Sequence, residues 1–224
     1  MRAAAAILVV ALCLGCAGGQ QAGPGKTAGF LGDYSILEES SAGGARLRYV
    51  LKGVDWQDYD KIFLDPIQFW RGADVQAGLS TTEAQRLANY FHSALYDRLS
   101  RDFGMVSMPQ PGSLRISIAF IRLGKRNVAL DTVSTYVPQA RLMSELKGAF
   151  TGRPAFVGEA FVEGKISDAT TGQLLAAAVD TRVGGKTIKK MDRWTDVKAA
   201  IDTWVELLAW RLCMNRDGVD CRKP

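Results

Sequence analysis

The chain has 224 residues, 47% of them hydrophobic and 23% charged, a balance near the globular average that excludes wholesale disorder. Its formal net charge of +5 is thinly spread: the densest basic groups are Arg122, Lys125, Arg126 and Lys186, Lys189, Lys190, Arg193, which do not form the single stripe of a nucleic-acid binder, so no nucleic acid is expected as a partner. With 1 histidine and 4 cysteines there is no zinc-ligand signature, and neither metal nor cofactor is expected.

The chain opens on M-R-A-A-A-A-I-L-V-V-A-L-C-L-G-C-A, in which Arg2 supplies a short positive region and 3–14 an apolar run of 12 residues. A bilayer-crossing helix needs about 20. The stretch therefore reads as a cleaved export signal, residues 1–15. Its ending, Cys13-Leu14-Gly15-Cys16, looks like a bacterial lipobox, with Cys13 standing where leucine is commonest. Cys16 is then the lipidated residue and the chain's link to the membrane. Ala17, not Asp, follows it, which points to the outer membrane of a Gram-negative envelope, facing the periplasm. Residues 16–28 are rich in glycine and glutamine, the composition of a flexible tether. Residues 29–224 read as one domain.

That domain begins with G-F-L-G-D-Y-S-I-L at 29–37. Phe30, Leu31, Tyr34 and Leu37 make a short amphipathic turn whose apolar side docks on the core; Asp33 and Ser35 serve as local caps, with ligand contact by Asp33, Tyr34 and Ser35 as the alternative. Together with L-D-P-I at 64–67, D-A-T-T-G at 168–172 and the tryptophan-bearing C-terminal helix, this run resembles a family of bacterial envelope lipoproteins, domain of unknown function 3313. The resemblance covers nearly the whole chain after the signal. It implies a lipoprotein without established catalytic residues, so no site is carried over from it.

Alternation at 45–51 sets Leu47, Tyr49 and Leu51 against Arg46, Arg48 and Val50, an edge strand. A second strand at 61–70 is interrupted by Pro66, which places it at an edge or bulges it there. Residues 80–103 form the clearest helix: Ser80 and Glu83 make a capping box, and Ala84, Leu87, Phe91, Leu95 and Leu99 form one stripe. A strand at 114–123 puts Leu114, Ile116, Ile118 and Phe120 on one face. Residues 124–154 show weak periodicity, with a short helix at 140–146, and a long irregular stretch of this kind is more often functional than idle.

Strands at 155–166 and 173–183 flank the D-A-T-T-G turn as a hairpin. Phe156, Ala160, Val162 and Ile166 face one way; Val157, Glu159, Phe161, Glu163 and Lys165 face the other, taken as a solvated face on which Glu159 pairs across the strand with Arg182. A second amphipathic helix at 195–213 carries Val197, Ile201, Trp204, Leu208 and Leu212. Cys213 and Cys221 are the exported thiols left after Cys16 is lipidated, and in an oxidising compartment they close as a disulfide.

Chemistry is sparse. His92 lies beside the core stripe of its helix with no nucleophile to serve. Gly185-Lys186-Thr187 and Gly25-Lys26-Thr27 miss the first glycine of a phosphate loop, which falls on Asp180 and Gln20. Glu159 and Glu163 stand about 13 Å apart along a strand at about 3.3 Å per residue, too far for an acid-base pair of the glycosidase kind. The expected architecture is α+β: an antiparallel or mixed sheet of about four to five strands with two amphipathic helices packed on one face. The leading functional expectation is a non-enzymatic, membrane-tethered accessory or scaffold that binds an envelope protein, with Phe161, Glu159 and Glu163 as the candidate partner surface. The alternatives are a binding module for a small amphiphile or cell-wall fragment, with 124–154 as its lid, and an envelope hydrolase. A deep apolar cavity would favour the amphiphile.

Overall fold

The structure, a computed structural model, describes residues 20–21, 28–40, 44–70, 80–125, 158–183 and 194–224. The export signal, Cys16 and the glycine-lysine motifs lie outside the described residues, as do 126–154 of the segment expected as a lid.

The fold is α+β, as the periodicities require, with a larger sheet than expected. Among the described residues there are nine strands: β1 (Gln20–Gln21), β2 (Glu38–Glu39), β3 (Leu47–Val50), β4 (Lys61–Leu64), β5 (Gln68–Phe69), β6 (Gly104–Val106), β7 (Ser113–Lys125), β8 (Gly158–Asp168) and β9 (Leu174–Val183). Their order is β2-β3-β9-β8-β7-β4-β6, with β1 on β9 and β5 on β7. The sheet is mixed. β7, β8, β9, β3 and β2 pair antiparallel in succession, whereas β4, β5 and β6 join in parallel, because a helix separates β5 from β6 and carries the chain back across the sheet. The excess over four to five strands comes from pieces of two or three residues, too short to show a period of two. β3 lies one place in from the edge, outflanked only by β2. Pro66 separates β4 from β5, both of which continue along β7; β6 pairs only with 61–63, so among the described residues the segment runs at the sheet edge where Pro66 interrupts it, as expected.

Helix α1 (Thr81–Leu99) begins at Ser80, whose hydroxyl accepts from the Glu83 amide while the Glu83 carboxylate accepts from the Ser80 amide. Helix α2 (Thr195–Arg216) buries Val197, Ile201, Trp204 and Leu212. The two helices lie side by side, joined at their outer rims by Tyr90 Oη donating to Asp202 at 2.7 Å and by Arg98 with Glu206 at 3.1 Å. The Asp202 carboxylate and burial push the Tyr90 phenol up to about 12. Beneath them lies the main core, to which the sheet contributes Leu114, Ile116, Ile118, Phe120, Ala160, Val162 and Ile166.

A bulge in β7 at Ile121 and Arg122 sets two residues against Phe161, so that Leu123 returns to the helix side. Opposite, Ala119, Ile121, Phe161 and Val179 form a second, smaller core closed by Phe30, with Leu31, Tyr34, Leu37 and Trp70 around it. The sheet therefore has two buried faces.

Candidate functional site

That second core overturns the expected partner surface. Phe161 does face away from the helices, but it is only 2% exposed, because the stretch 28–37 lies over it. Glu163 is 0% exposed. Its carboxylate accepts from Tyr34 Oη at 2.6 Å and from the Ala28 amide at 3.1 Å. Burial and that bond to Glu163 raise the Tyr34 phenol above its ordinary value. A buried carboxylate must be hydrogen-bonded to persist, and here it fastens the N-terminal stretch to the sheet. The Glu159 side chain lies outside the described residues. Arg182 opposes Ala160 in register, not Glu159, and pairs with Asp180 at 2.9 Å on the helix side. Asp33 caps locally, accepting from the Ser35 amide and hydroxyl at 2.8 and 2.7 Å. His92 is half-buried on α1.

The Cys213–Cys221 disulfide is present, with Cα atoms 5.8 Å apart. No cluster of metal ligands occurs among the described residues. No helix among them is long and apolar enough to cross a membrane.

The site that emerges lies on the helix face, where the sheet runs short of bulk. Reading across the strands, Ile116, Ile166, Ala176 and Val50 form one row of that face, and Ile118, Gly164, Ala178 and Arg48 the next. Toward β9 the large side chains give way to Gly164, Ala176 and Ala178, over which α2 passes without filling the space. The result is an apolar cavity of about 180 Å³ between α2 and the sheet, closed by Phe91, Leu95, Trp204, Leu207, Leu208 and Leu212. Ala176 and Ala178 are half-buried, while Ala177 and Val179 of the same strand are buried on the other face. A hollow on the helix side explains that difference.

The polar groups at this hollow differ in their saturation. Asp180 accepts from Trp204 Nε1 at 2.8 Å, from Arg182 Nε at 2.9 Å and from the Arg46 amide at 3.2 Å, so its carboxylate is fully engaged. Arg48 from β3 and Arg211 from α2 line the mouth. Among the described residues no carboxylate forms an ion pair with either guanidinium, although Glu38 lies directly across from Arg48 in register. Arg211 stacks on Trp210 at 4.3 Å. Desolvation, and then the neighbouring Arg48 charge, pull the Arg211 guanidinium below its ordinary value.

A second concavity, about 460 Å³ and more polar, lies on the other face among Phe30, Trp70, Arg115, Lys165 and Ser167. Its charges are largely spent. Arg115 Nε meets Asp65 at 2.8 Å, Ser117 donates to the same carboxylate oxygen at 2.5 Å, and Lys165 sits over the Phe30 ring at 5.0 Å.

Sequence reading missed the hollow. Its signal was the run Ala176-Ala177-Ala178 beside Gly164: two alanines and a glycine on a strand face that a helix must cover cannot fill a normal sheet-to-helix gap.

Comparison with known proteins adds a relative and several solved structures. The uncharacterized lipoprotein YdcL of Escherichia coli K12 is 28% identical over 180 residues, spanning 76% of this chain and 79% of the relative. Among solved structures, a Xanthomonas campestris protein matched to the family DUF330 aligns over 75% of this chain and 92% of its own at 10% identity and a TM-score of 0.44. The PelC dodecamer subunit of Paraburkholderia phytofirmans aligns over 72% of this chain and 94% of its own at 12% identity and a TM-score of 0.39. The family model described as Protein of unknown function (DUF3313) matches residues 26–208, and the chain belongs to that family.

Proposed function

We propose that this chain is a lipid-anchored protein of the bacterial envelope, held through Cys16 on the outer membrane and facing the periplasm, that acts by binding a small amphiphile rather than by catalysis. The observation that carries the binding role is the apolar hollow under α2, a concave, largely apolar space with a few polar groups at its mouth, the form that small-molecule sites commonly take. The anchor rests on the opening seventeen residues and agrees with the name of the Escherichia coli relative. Docking of an envelope protein through Phe161 loses its support, since that ring is core.

The anchor and the hollow fit together. β1 pairs Gln20 with Val183 of β9, so an anchor at Cys16 would hold that end of the sheet within about 13 Å of the bilayer, at roughly 3.3 Å per residue. An amphiphile leaving the membrane would have a short path to the hollow on β9. The test is photo-crosslinking with an eight-carbon alcohol bearing a diazirine, offered to the full-length protein in native membranes. Labelled peptides should contain β9 and α2, and Ala178→Leu, which fills the hollow, should remove that label. Label spread evenly over the surface in both proteins would overturn the binding role. The anchor is tested separately: Cys16→Ser should leave the membrane fraction, and unchanged attachment would refute it.

A further inference from the structure

The mouth of the hollow carries more information than its walls. Two guanidiniums from different elements, Arg48 on β3 and Arg211 on α2, converge there without a carboxylate partner among the described residues. Both are half-buried. Like charges held together at the rim of an apolar space are costly unless something negative lies between them. Arg98, Arg115, Arg182 and Arg216 each meet an aspartate, and the remaining arginines without an ion pair among the described residues, Arg46, Arg86, Arg101 and Arg222, do not line the hollow.

Resting on the amphiphile reading above, we infer that the ligand is a single-chain amphiphile with an oxyanion head, its chain lying over Gly164, Ala176 and Ala178 and its head between Arg48 and Arg211. Arginine suits this role because its planar fork meets carboxylate or phosphate oxygens in pairs. The cavity fixes the scale of the chain. At about 180 Å³ it slightly exceeds the roughly 150 Å³ cavity that takes up benzene, which leaves room for a chain of roughly six to eight carbons. Two-chain phospholipids exceed that volume. Asp180, the one carboxylate among the described residues lining the hollow, is already paired with Arg182 and accepts from Trp204 Nε1 and the Arg46 amide, and Glu38, across from Arg48 on the edge strand β2, is exposed and forms no ion pair with it among the described residues. The desolvation of Arg211 is the companion of this geometry, since an anion settling beside its guanidinium would offset the cost of holding that charge partly out of water.

The experiment compares two diazirine probes of eight carbons, one a carboxylate and one an alcohol, on the wild-type full-length protein and on Arg48→Gln, Arg211→Gln and Arg211→Lys. The carboxylate should label β9 and α2 at about tenfold lower concentration than the alcohol, because a charge-assisted hydrogen bond is worth at least that factor. That preference should collapse in either glutamine variant and persist in part in Arg211→Lys. An octyl phosphate should compete with the carboxylate probe as an oxyanion of the same chain, and its failure to compete would overturn the shared head chemistry. Thermal midpoints in the absence of probe serve as the control: Arg48→Gln and Arg211→Gln should stay folded with midpoints near that of Arg211→Lys, so that loss of the carboxylate preference cannot be laid to unfolding, and loss of label from both probes together with a collapsed midpoint would mark the arginines as structural and overturn the head assignment. Equal labelling by alcohol and carboxylate in the wild type, unchanged in the glutamine variants, would overturn the oxyanion head while leaving the amphiphile reading intact. Absence of label from both probes would overturn the two together.

Discussion

On the helix side of β7 and β8, Ile116, Ile118, Phe120, Val162 and Ile166 meet two helices of 19 and 22 residues. On the other side, among the described residues, Ala119, Ile121 and Phe161 are covered by the stretch 28–37 and Trp70, with Val179 and Leu47 of the sheet beside them. The thick cover leaves a hollow and the thin cover leaves none at Phe161. A rigid helix spans a sheet at a distance set by its bulkiest contacts, here Phe91 on Phe120 and Trp204 on Phe91 at 5.6 and 6.1 Å between ring centroids, so it bridges over alanines. An irregular segment follows the surface, provided its polar groups are satisfied. Glu163, Tyr34 and Trp70 do this here, with Trp70 Nε1 donating to the Ala28 carbonyl at 2.9 Å.

The sharpest way to break this comparison is Phe161→Ala. If the second face is true core, truncation should cost about 3 to 5 kcal/mol, and hydrogen exchange should show the amides of 28–37 losing protection ahead of those in α1. A change within about 0.5 kcal/mol is the mark of a surface residue. That outcome would restore Phe161 to the surface and leave the second core without its central ring on β8.

Alternation made half of this legible beforehand. That Phe161 and Glu163 point away from Val162 follows from the period of a strand, and the residues of both helix stripes follow from theirs. What covers the second face does not follow, because 29–37 announces itself as a docked turn without naming its dock. Glu163 also misleads: a glutamate between a glycine and a valine on a strand reads as solvated, and only the donors of Tyr34 and Ala28, 129 and 135 residues away in sequence, make its burial tolerable. Distance along the chain hid the latch. The hollow stayed hidden for a related reason, since it depends on where α2 crosses β9 rather than on any stripe.

On the helix face, the Cys213–Cys221 disulfide closes a loop of about nine residues at the end of α2, which loop-closure entropy makes worth about 2 to 3 kcal/mol. Reduction of the intact protein should lower the thermal midpoint and loosen the last turn of α2, where Arg216 sits over Phe103 at 4.5 Å, while the protection of 28–37 stays as it was. Equal loss on both faces would mean that the two covers do not unfold separately. The latch on the thin side is weaker. Tyr34→Phe removes one of two donors to the buried Glu163 and should cost about 1.5 kcal/mol, the low end for a bond to a charged group. Hydrogen exchange should place that loss in 28–37, and a loss confined to α2 would contradict the latch.

The smallest effect belongs to the hairpin that both faces share. At its turn, the Asp168 carboxylate accepts from the amides of Thr171 and Thr170 at 2.7 and 2.8 Å and from Tyr59 Oη at 3.0 Å. Those donors, the Thr171 amide first, hold its pKa below the usual carboxylate value of 3.8. A depressed folded-state value means that the ionised form favours folding. Its contribution is complete above the unfolded value, near pH 4, and is lost as the pH falls through the lower folded value. Asp168→Asn should therefore be less stable than the parent at neutral pH, with the gap closing below pH 4 as the parent loses its own charge. Because β8 and β9 carry residues of both faces, this loosening should reduce protection in 28–37 and in α2 alike, unlike the losses from Phe161→Ala and Tyr34→Phe. A gap that stays constant from pH 7 to pH 3 would show that the Asp168 charge does not hold the turn, and a loss restricted to one cover would show that the hairpin is not the common support of the two faces.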